Sequence, residues 1–462
     1  MSVITVLKAL QQTSLLKYLD HCPEIKKNKL LTQISSFDLD TLNSQRKAIA
    51  SLNNPENLTP ATFTSFLDYS SSGNQRDREW GKQYIAEGKL GCLVVAGGQG
   101  TRLHFKGPKG LFPVSPIMHK SLFQLLAEKV LAAGKQVNRL LSIAIMTSPL
   151  NHEEVCAYFE TNHFFGLAPE QIDFFPQGML PFLDPEGNLF LEAADRIAMG
   201  PDGNGSSLYQ FVKQGLWKKW RDKGIESLHF VMVDNPLSDP FDAELVGFHR
   251  RTKAEITVKC TTRRHLNEKV GLLVKNEGHV QVIEYSEMPD SEKTALDQKG
   301  HFKHVCANLS LFCFDMDFIG RICGGSGRQE IPIPLHLAFK TAPFFSFEGK
   351  VETPSQPNAW KFERFIFDLL PFSQNVRALL YPREICFAPL KNFSGEDSLT
   401  TVQQALQHSD AMQFQKITGV ASPQVAFELS QEFYYPTDAL MKSWKGRRIE
   451  GGGYIDAGVN ED

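Results

Sequence analysis

No apolar run in the sequence approaches the roughly 20 residues that cross a bilayer as a helix. The stretch from Met1 to Leu16 also lacks a cationic region followed by an unbroken apolar segment. Neither a membrane anchor nor a secretory leader is expected, and the reading is a cytoplasmic, unprocessed protein. Charge of one sign is equally scarce: 49 Lys and Arg stand against 52 Asp and Glu, a net charge of −3. Nothing in that balance builds a polyanion-binding face, so nucleic acid is not an expected partner. The eight cysteines, Cys22, Cys92, Cys156, Cys260, Cys306, Cys313, Cys323 and Cys386, show no CxxC spacing and read as reduced, mostly buried thiols. The thirteen histidines include no HExxH or comparable metal spacing. His163, His301 and His336 lie among Phe and Leu and read as satisfied core or surface residues. Internal repeats and low-complexity tracts are missing as well.

What is present points to a multi-unit α/β chain. At 462 residues two or three packed units are expected. Up to about Gly88 the Leu, Ile and Phe residues recur at helical spacing, as from Val6 to Leu19, which predicts a helical N-terminal layer over residues 1–88. From Gly91 short apolar runs alternate with helical segments: Leu93 to Ala96, Leu140 to Met146, Leu228 to Val233 and Ile256 to Cys260. That alternation predicts a mixed, mostly parallel sheet over residues 89–387. Ser121 and Gln124 fit a capping box that opens a crossover helix, with Leu122, Leu125, Leu126 and Val130 on one face. The runs Val270 to Lys275 and Val280 to Glu284 flank Asn276 to Gly278 and predict a hairpin added to the sheet. Lys361 and Glu363 read as the start of an apolar helix through Phe365, Ile366, Phe367 and Leu369, chiefly core. Beyond about Ala388, short apolar stretches among Ser, Gly and Asp predict a small C-terminal domain over residues 388–462, with a mobile Gly451 to Gly453 tail. The 34 phenylalanines are most simply core packing.

The most informative segment is Leu93-Val-Val-Ala-Gly-Gly-Gln-Gly-Thr-Arg-Leu103, an apolar strand running directly into Gly97, Gly98 and Gly100. Glycines can take positive φ and carry no Cβ, so successive N–H groups can converge on a phosphate. Arg102 adds a fixed cation with two-pronged donor geometry. The spacing is neither GxGxxG nor GxxxxGK[ST], which removes the dinucleotide fold and the P-loop NTPases. A tight strand-to-helix turn without a ligand also suits the glycines alone. Pro108-Lys109-Gly110 then places a lysine on a rigid turn near the same loop.

Together with Lys120-Ser-Leu-Phe-Gln124, these segments resemble the signature of the UTP–hexose-1-phosphate uridylyltransferase family, most like its eukaryotic-type UDP-N-acetylglucosamine pyrophosphorylase branch. Matching segments continue in order through Ile145-Met-Thr-Ser148, Phe175-Pro-Gln-Gly-Met-Leu-Pro181, Pro201-Asp-Gly-Asn-Gly205, Val233-Asp-Asn235, Val282-Ile-Glu-Tyr-Ser-Glu287, Asn308 and Phe387-Ala-Pro-Leu-Lys-Asn392. The resemblance covers roughly residues 85 to 410. Two departures stand out: His104 where the family usually continues the loop with Gly, and Ser206-Ser207 in place of a Gly pair before Leu208-Tyr209.

The resemblance implies a Rossmann-like nucleotide-diphospho-sugar transferase domain that joins UTP to a hexose 1-phosphate, releasing pyrophosphate. UDP-N-acetylglucosamine is the expected product, with UDP-glucose the alternative and an inactive nucleotide-sugar-binding protein a second one. It assigns Ala96, Gly97, Gly98, Gly100 and Thr101 to UTP, and Arg102 and Lys109 to the triphosphate. Lys391 reaches the phosphates of the sugar substrate. Gln177 reads the uracil edge, where a primary amide offers a donor and an acceptor side by side. Gly203 and Asn204 lie near base and sugar, and Glu284, Tyr285 and Asn308 line the hexose. Asp234, at the carboxyl end of an apolar run where ligands of open α/β sheets sit, is assigned to Mg2+. Its bland counterpart is a strand-end cap, and Asn235 either positions phosphate or caps the turn before Pro236. A monomer or weak homo-oligomer is expected.

Overall fold

The computed structural model describes residues 3–52, 63–346 and 349–458. They form two compact units, one from Met1–Pro60, Gln177–Ser206 and Pro332–Asp368, the other from Ala61–Pro176, Ser207–Ile331 and Leu369–Asp462. Each unit draws on segments that a sequential division at residues 88 and 387 keeps apart.

The second unit is built on a sheet that has eleven strands among the described residues; eight run in the order Tyr69–Ser71, Val376–Leu380, Ile256–Thr262, Cys306–Asp315, Ser227–Met232, Leu90–Val95, Ile143–Thr147, Ile172–Pro176, and Thr64–Ser65, Leu272–Asn276 and His279–Ile283 join it off that path. Leu90–Val95 and Ile143–Thr147 are buried at every position, as strands covered on both faces must be, which is why they read as unbroken apolar runs. Ser227–Met232 lies parallel to Leu90–Val95 with Met232 opposite Val95. Cys306–Asp315 runs antiparallel to Ser227–Met232, Ile256–Thr262 and Leu272–Asn276, so the sheet is mixed but mostly parallel, as expected. The predicted hairpin forms from Leu272–Asn276 and His279–Ile283. Its two turn residues, Glu277 (φ 50°) and Gly278 (φ 84°), are left-handed, the pairing that matches strand twist. The crossover helix is Leu122–Val137. Ser121 Oγ accepts from Gln124 N at 3.0 Å, while the Gln124 side chain donates onward to Glu128. Leu122, Leu125, Leu126 and Val130 are buried together.

The N-terminal helices Val3–Ala9, Thr13–His21, Glu24–Ser35 and Leu39–Leu52 bury Leu7, Leu15, Leu19, Leu30, Leu42 and Ile49 in one core with Leu180, Leu191 and Phe362. Residues 53–62 of the predicted helical layer lie outside the described residues. Past them the chain is not all helix: Tyr69–Ser71 pairs in parallel with Val376–Leu380 at the sheet edge. Three residues are too few for periodicity to reveal.

Two other expectations fail. Lys361 and Glu363 do not start a helix: Ala359–Glu363 is a strand paired antiparallel with His336–Lys340. A period of two puts Lys361 and Glu363 on one face, where they pair at 2.8 Å. The buried residues that follow form a 3₁₀ turn, Ile366–Phe372, with Pro371 inside it, so an α-helix cannot continue. The Gly451–Gly453 tail is not loose either. Gly453–Ile455 pairs in parallel with Phe427–Leu429, and it closes a separate C-terminal core of Phe414, Ile417, Phe427, Leu429, Phe433, Leu440 and Trp444. All eight cysteines are free, and six are buried.

Candidate active site

The strand Leu90–Val95 delivers the glycine loop, and the loop is folded onto itself. Gly100 N donates to Gly107 O at 2.9 Å, Phe105 N to Gly100 O at 3.1 Å, and Lys109 N to Gly98 O at 3.0 Å. The expectation of left-handed glycines needs correcting. Gly100 has φ −79° and Gly98 is not left-handed. The left-handed positions are His104 (φ 54°) and Gly107 (φ 131°). His104 caps the short turn Thr101–Leu103, a left-handed position that a glycine would fill without strain.

The glycines serve space instead. A Cβ on Gly100 would stand 2.9 Å from Phe105, and one on Gly110 only 2.1 Å from Phe123. A Cβ on Gly98 would meet nothing within 4 Å. The bare backbone at Gly98 is therefore not required by the protein's own packing, as expected where a ligand approaches.

Lys109, held beside Gly98, is nearly buried and places Nζ 3.2 Å from Asp234 Oδ2. Asp234 follows the neighbouring parallel strand Ser227–Met232, so cation and carboxylate meet at adjacent carboxyl ends of the sheet. Leu390 N donates to Asp234 O at 2.7 Å, which docks the Lys391 segment on the same turn. Asn235 completes the attachment: its Nδ2 donates to Cys386 O at 2.8 Å and its Oδ1 accepts from Ala388 N at 3.0 Å. Both amide atoms thus hold the segment leading to Lys391, a role that neither phosphate binding nor turn capping describes. Lys391 Nζ lies 5.7 Å from the Phe387 ring centre. Arg102 is exposed. The structure therefore brings together the glycine loop, Lys109, Asp234 and the base of Lys391.

Asn151, which no motif marked, is 1% exposed. It accepts from Ser148 N at 2.8 Å and donates to Gly97 O at 3.4 Å, tying the loop to the end of Ile143–Thr147. The buried Lys129 donates to Ser238 O, on the turn after Asp234, at 2.8 Å. Burial pushes its ammonium down to about 8. Asp242 and Lys259 form a buried pair at 2.6 Å. There burial opposes both charges and their mutual attraction outweighs it. Lys129 braces the turn after Asp234, while Asp242 caps the helix Ala243–Arg251, its Oδ1 accepting from Leu245 N at 3.0 Å. Their only sequence signal is a charged residue inside an otherwise apolar segment.

The sugar candidates Glu284 and Asn308 converge on Gly271. Asn308 N donates to Gly271 O at 2.9 Å, and a Cβ on Gly271 would fall 2.9 Å from Glu284 Oε1. Asn308 Oδ1 accepts from Ser310 N at 3.0 Å. Ser310 is left-handed (φ 57°), opposite a register shift between Lys259 and Cys260. A bulge of this kind re-aims neighbouring strand residues, and Asn308, opposite Cys260, flanks it. Tyr285 is exposed.

Gln177, Gly203 and Asn204 belong to the first unit. Gln177 is buried. Gly203 and Gly205 have a structural reason within that unit, because a Cβ on either would strike the backbone at Arg364 and Phe365. Asn204 Oδ1 accepts from Ile366 N at 3.1 Å.

A family model described as UTP–glucose-1-phosphate uridylyltransferase matches residues 41–434. A probable UDP-N-acetylglucosamine pyrophosphorylase of Schizosaccharomyces pombe is 33% identical, over 95% of this chain and 96% of its own. The UDP-N-acetylglucosamine pyrophosphorylase of Saccharomyces cerevisiae is 32% identical, over 86% of this chain and 84% of its own. Among solved structures, a putative UDP-N-acetylglucosamine pyrophosphorylase from Entamoeba histolytica superposes with a TM-score of 0.73 at 29% identity, covering 83% of this chain and 95% of that one.

Proposed function

Since the chain belongs to the UTP–glucose-1-phosphate uridylyltransferase family, we propose that it transfers the uridylyl group of UTP to N-acetylglucosamine 1-phosphate, yielding UDP-N-acetylglucosamine and pyrophosphate. The N-acetylated acceptor is favoured because the relatives that match nearly the full chain carry that sugar in their names. In the reaction an oxygen of the sugar phosphate attacks the α-phosphorus of UTP. The new O–P bond forms as the bond to the β-phosphate oxygen breaks, and pyrophosphate leaves. Two anions meet and a third departs, so charge neutralisation and in-line positioning lower the barrier and no side-chain nucleophile is needed.

The observation that carries this reading is Lys109 beside Asp234 at the rim of a glycine loop whose Gly98 faces open space. Arg102 and Lys109 act on the triphosphate, and Lys391, rooted on Asp234 and Asn235, acts on the sugar phosphate. Gln177 is assigned to the uracil edge on the chemistry of its amide, with Gly203 and Asn204 beside base and sugar. Glu284 and Asn308 take hydroxyls of the hexose, and Tyr285 supplies an adjacent wall.

Magnesium fits this donor set. No cluster of three acidic, His or Cys ligands occurs among the described residues, and Mg2+ is commonly held by one or two carboxylates plus substrate phosphates and water. Asp234 is the carboxylate in place, and a bound Mg2+ would neutralise charge on the phosphates. No helix among the described residues is long and apolar enough to cross a membrane. A cytoplasmic monomer or weak homo-oligomer completes the proposal.

Pyrophosphate release from UTP and magnesium, measured in parallel with N-acetylglucosamine, glucose and galactose 1-phosphates, tests it. Preference for the N-acetylated sugar is expected. Preference for glucose 1-phosphate would replace the substrate, and release with none would leave a nucleotide-sugar-binding protein.

A further inference from the structure

His104 and Phe393 stack face to face, with ring centroids 4.5 Å apart and planes inclined by 26°. Each ring is presented by a closed turn. His104 sits at the left-handed end of Thr101–Leu103, its N–H on Thr101 O at 3.1 Å, inside the loop that Gly100 and Gly107 close. Phe393 tips a second turn, in which Lys391 N and Asn392 N both donate to Asp397 O at 2.7 and 3.0 Å and Asn392 Nδ2 donates to Glu396 O at 2.8 Å. Phe393 is 63% exposed, so core packing does not account for an aromatic ring there. Among the described residues its ring stacks on His104. The pair joins the glycine loop to the turn that begins with Lys391.

We propose that His104 and Phe393 form a clasp that positions Lys391 against the glycine loop and opens for substrate exchange. They are positioning residues, since neither is placed on reacting atoms, and the proposal rests on the uridylyltransferase reading above. Two turns, each internally rigid, need only one contact between their tips to fix the lysine at the root of one against the phosphate cradle of the other. A single stacked pair suits that task because it is weak. It contributes on the order of a two- to tenfold bias, enough to favour closure without trapping product.

The test combines steady-state kinetics with hydrogen–deuterium exchange over residues 388–398 in the full chain. The variants are His104→Asn, which tolerates the left-handed backbone without a ring, Phe393→Ala, their combination, and Phe393→Tyr. Each single variant should speed exchange in that segment and raise KM for the sugar phosphate about two- to tenfold, with kcat changing less. The double variant should be no worse than either single one, and Phe393→Tyr should restore both readouts. Unchanged exchange, unchanged KM, or effects that add in the double variant would each overturn the clasp. A wild-type protein that releases no pyrophosphate would instead refute the uridylyltransferase reading, and the positioning role with it.

Discussion

Replacing Gly98 with alanine separates a glycine kept for the fold from one kept for a ligand. A methyl group there meets no atom within 4 Å, and the backbone is not left-handed. The folded chain therefore loses nothing, and restricting the unfolded chain should raise stability by about 0.4–1 kcal/mol. If the loop's N–H groups approach a triphosphate, however, the methyl occupies the surface the phosphate must reach. A displacement of on the order of 1 Å costs up to about 10²-fold in rate. Gly98→Ala should accordingly melt at or slightly above the wild-type temperature while kcat/KM for UTP falls about 10- to 100-fold. Gly110→Ala is the control with the opposite signature. Its Cβ would sit 2.1 Å from the Phe123 ring, so it should lose about 1–3 kcal/mol through overpacking. Thermal melting and pyrophosphate release on both variants decide the matter. A Gly98→Ala enzyme within threefold of wild type would mean that no substrate occupies the space above that residue.

Lys109→Ala and Lys391→Ala should each lower turnover at least about tenfold, the worth of one charge-assisted phosphate contact, with far-UV circular dichroism unchanged; normal turnover in either removes that lysine from the mechanism. Gly271→Ala would press a methyl against Val282 and the Glu284 carboxylate, and should raise KM for the sugar phosphate several-fold while KM for UTP holds. Equal changes in both constants would detach Glu284 from the sugar. Asp410 is buried and its carboxyl is pushed from 3.8 up to about 7, burial being the largest cause. The folded chain then holds a proton that the unfolded chain has released, so stability should fall as pH rises from about 4 to about 7, by at most ~4 kcal/mol. Asp410→Asn keeps an acceptor for Tyr434, which donates to Asp410 Oδ1 at 2.7 Å, and should flatten that slope in denaturant titrations; parallel curves would refute the assignment.

The parts of the site that could be read in advance are those in which one short segment carries both the signal and its cause. Strands buried on both faces show as apolar runs, so Leu90–Val95 and Ser227–Met232 were visible, and with them the strand ends that place the glycine loop and Asp234. The hairpin after Gly271 was visible for the same reason, because Asn276 to Gly278 carries its own turn chemistry. Where cause and signal lie far apart, the local sequence does not carry the outcome. Ala359–Glu363 becomes a strand by pairing with His336–Lys340, a partner that helical spacing within the segment cannot reveal. Gly453–Ile455 is ordered by Phe427–Leu429, not by anything in the run Gly451 to Gly453.

Asn235 makes the same point at the centre of the site. Next to Asp234, the sequence offers a polar side chain only two local uses, a phosphate ligand or a turn cap. Its partners are Cys386 and Ala388, and the consequence is functional. Asp234 and Asn235 are consecutive, and the backbone of Asp234 itself accepts from Leu390. The carboxylate proposed for the metal and the lysine proposed for the sugar phosphate therefore share one anchor. Any change that shifts the turn at Asp234 must shift the root of Lys391 with it, which couples the two ends of the proposed phosphate site through three hydrogen bonds rather than through a pathway of side chains.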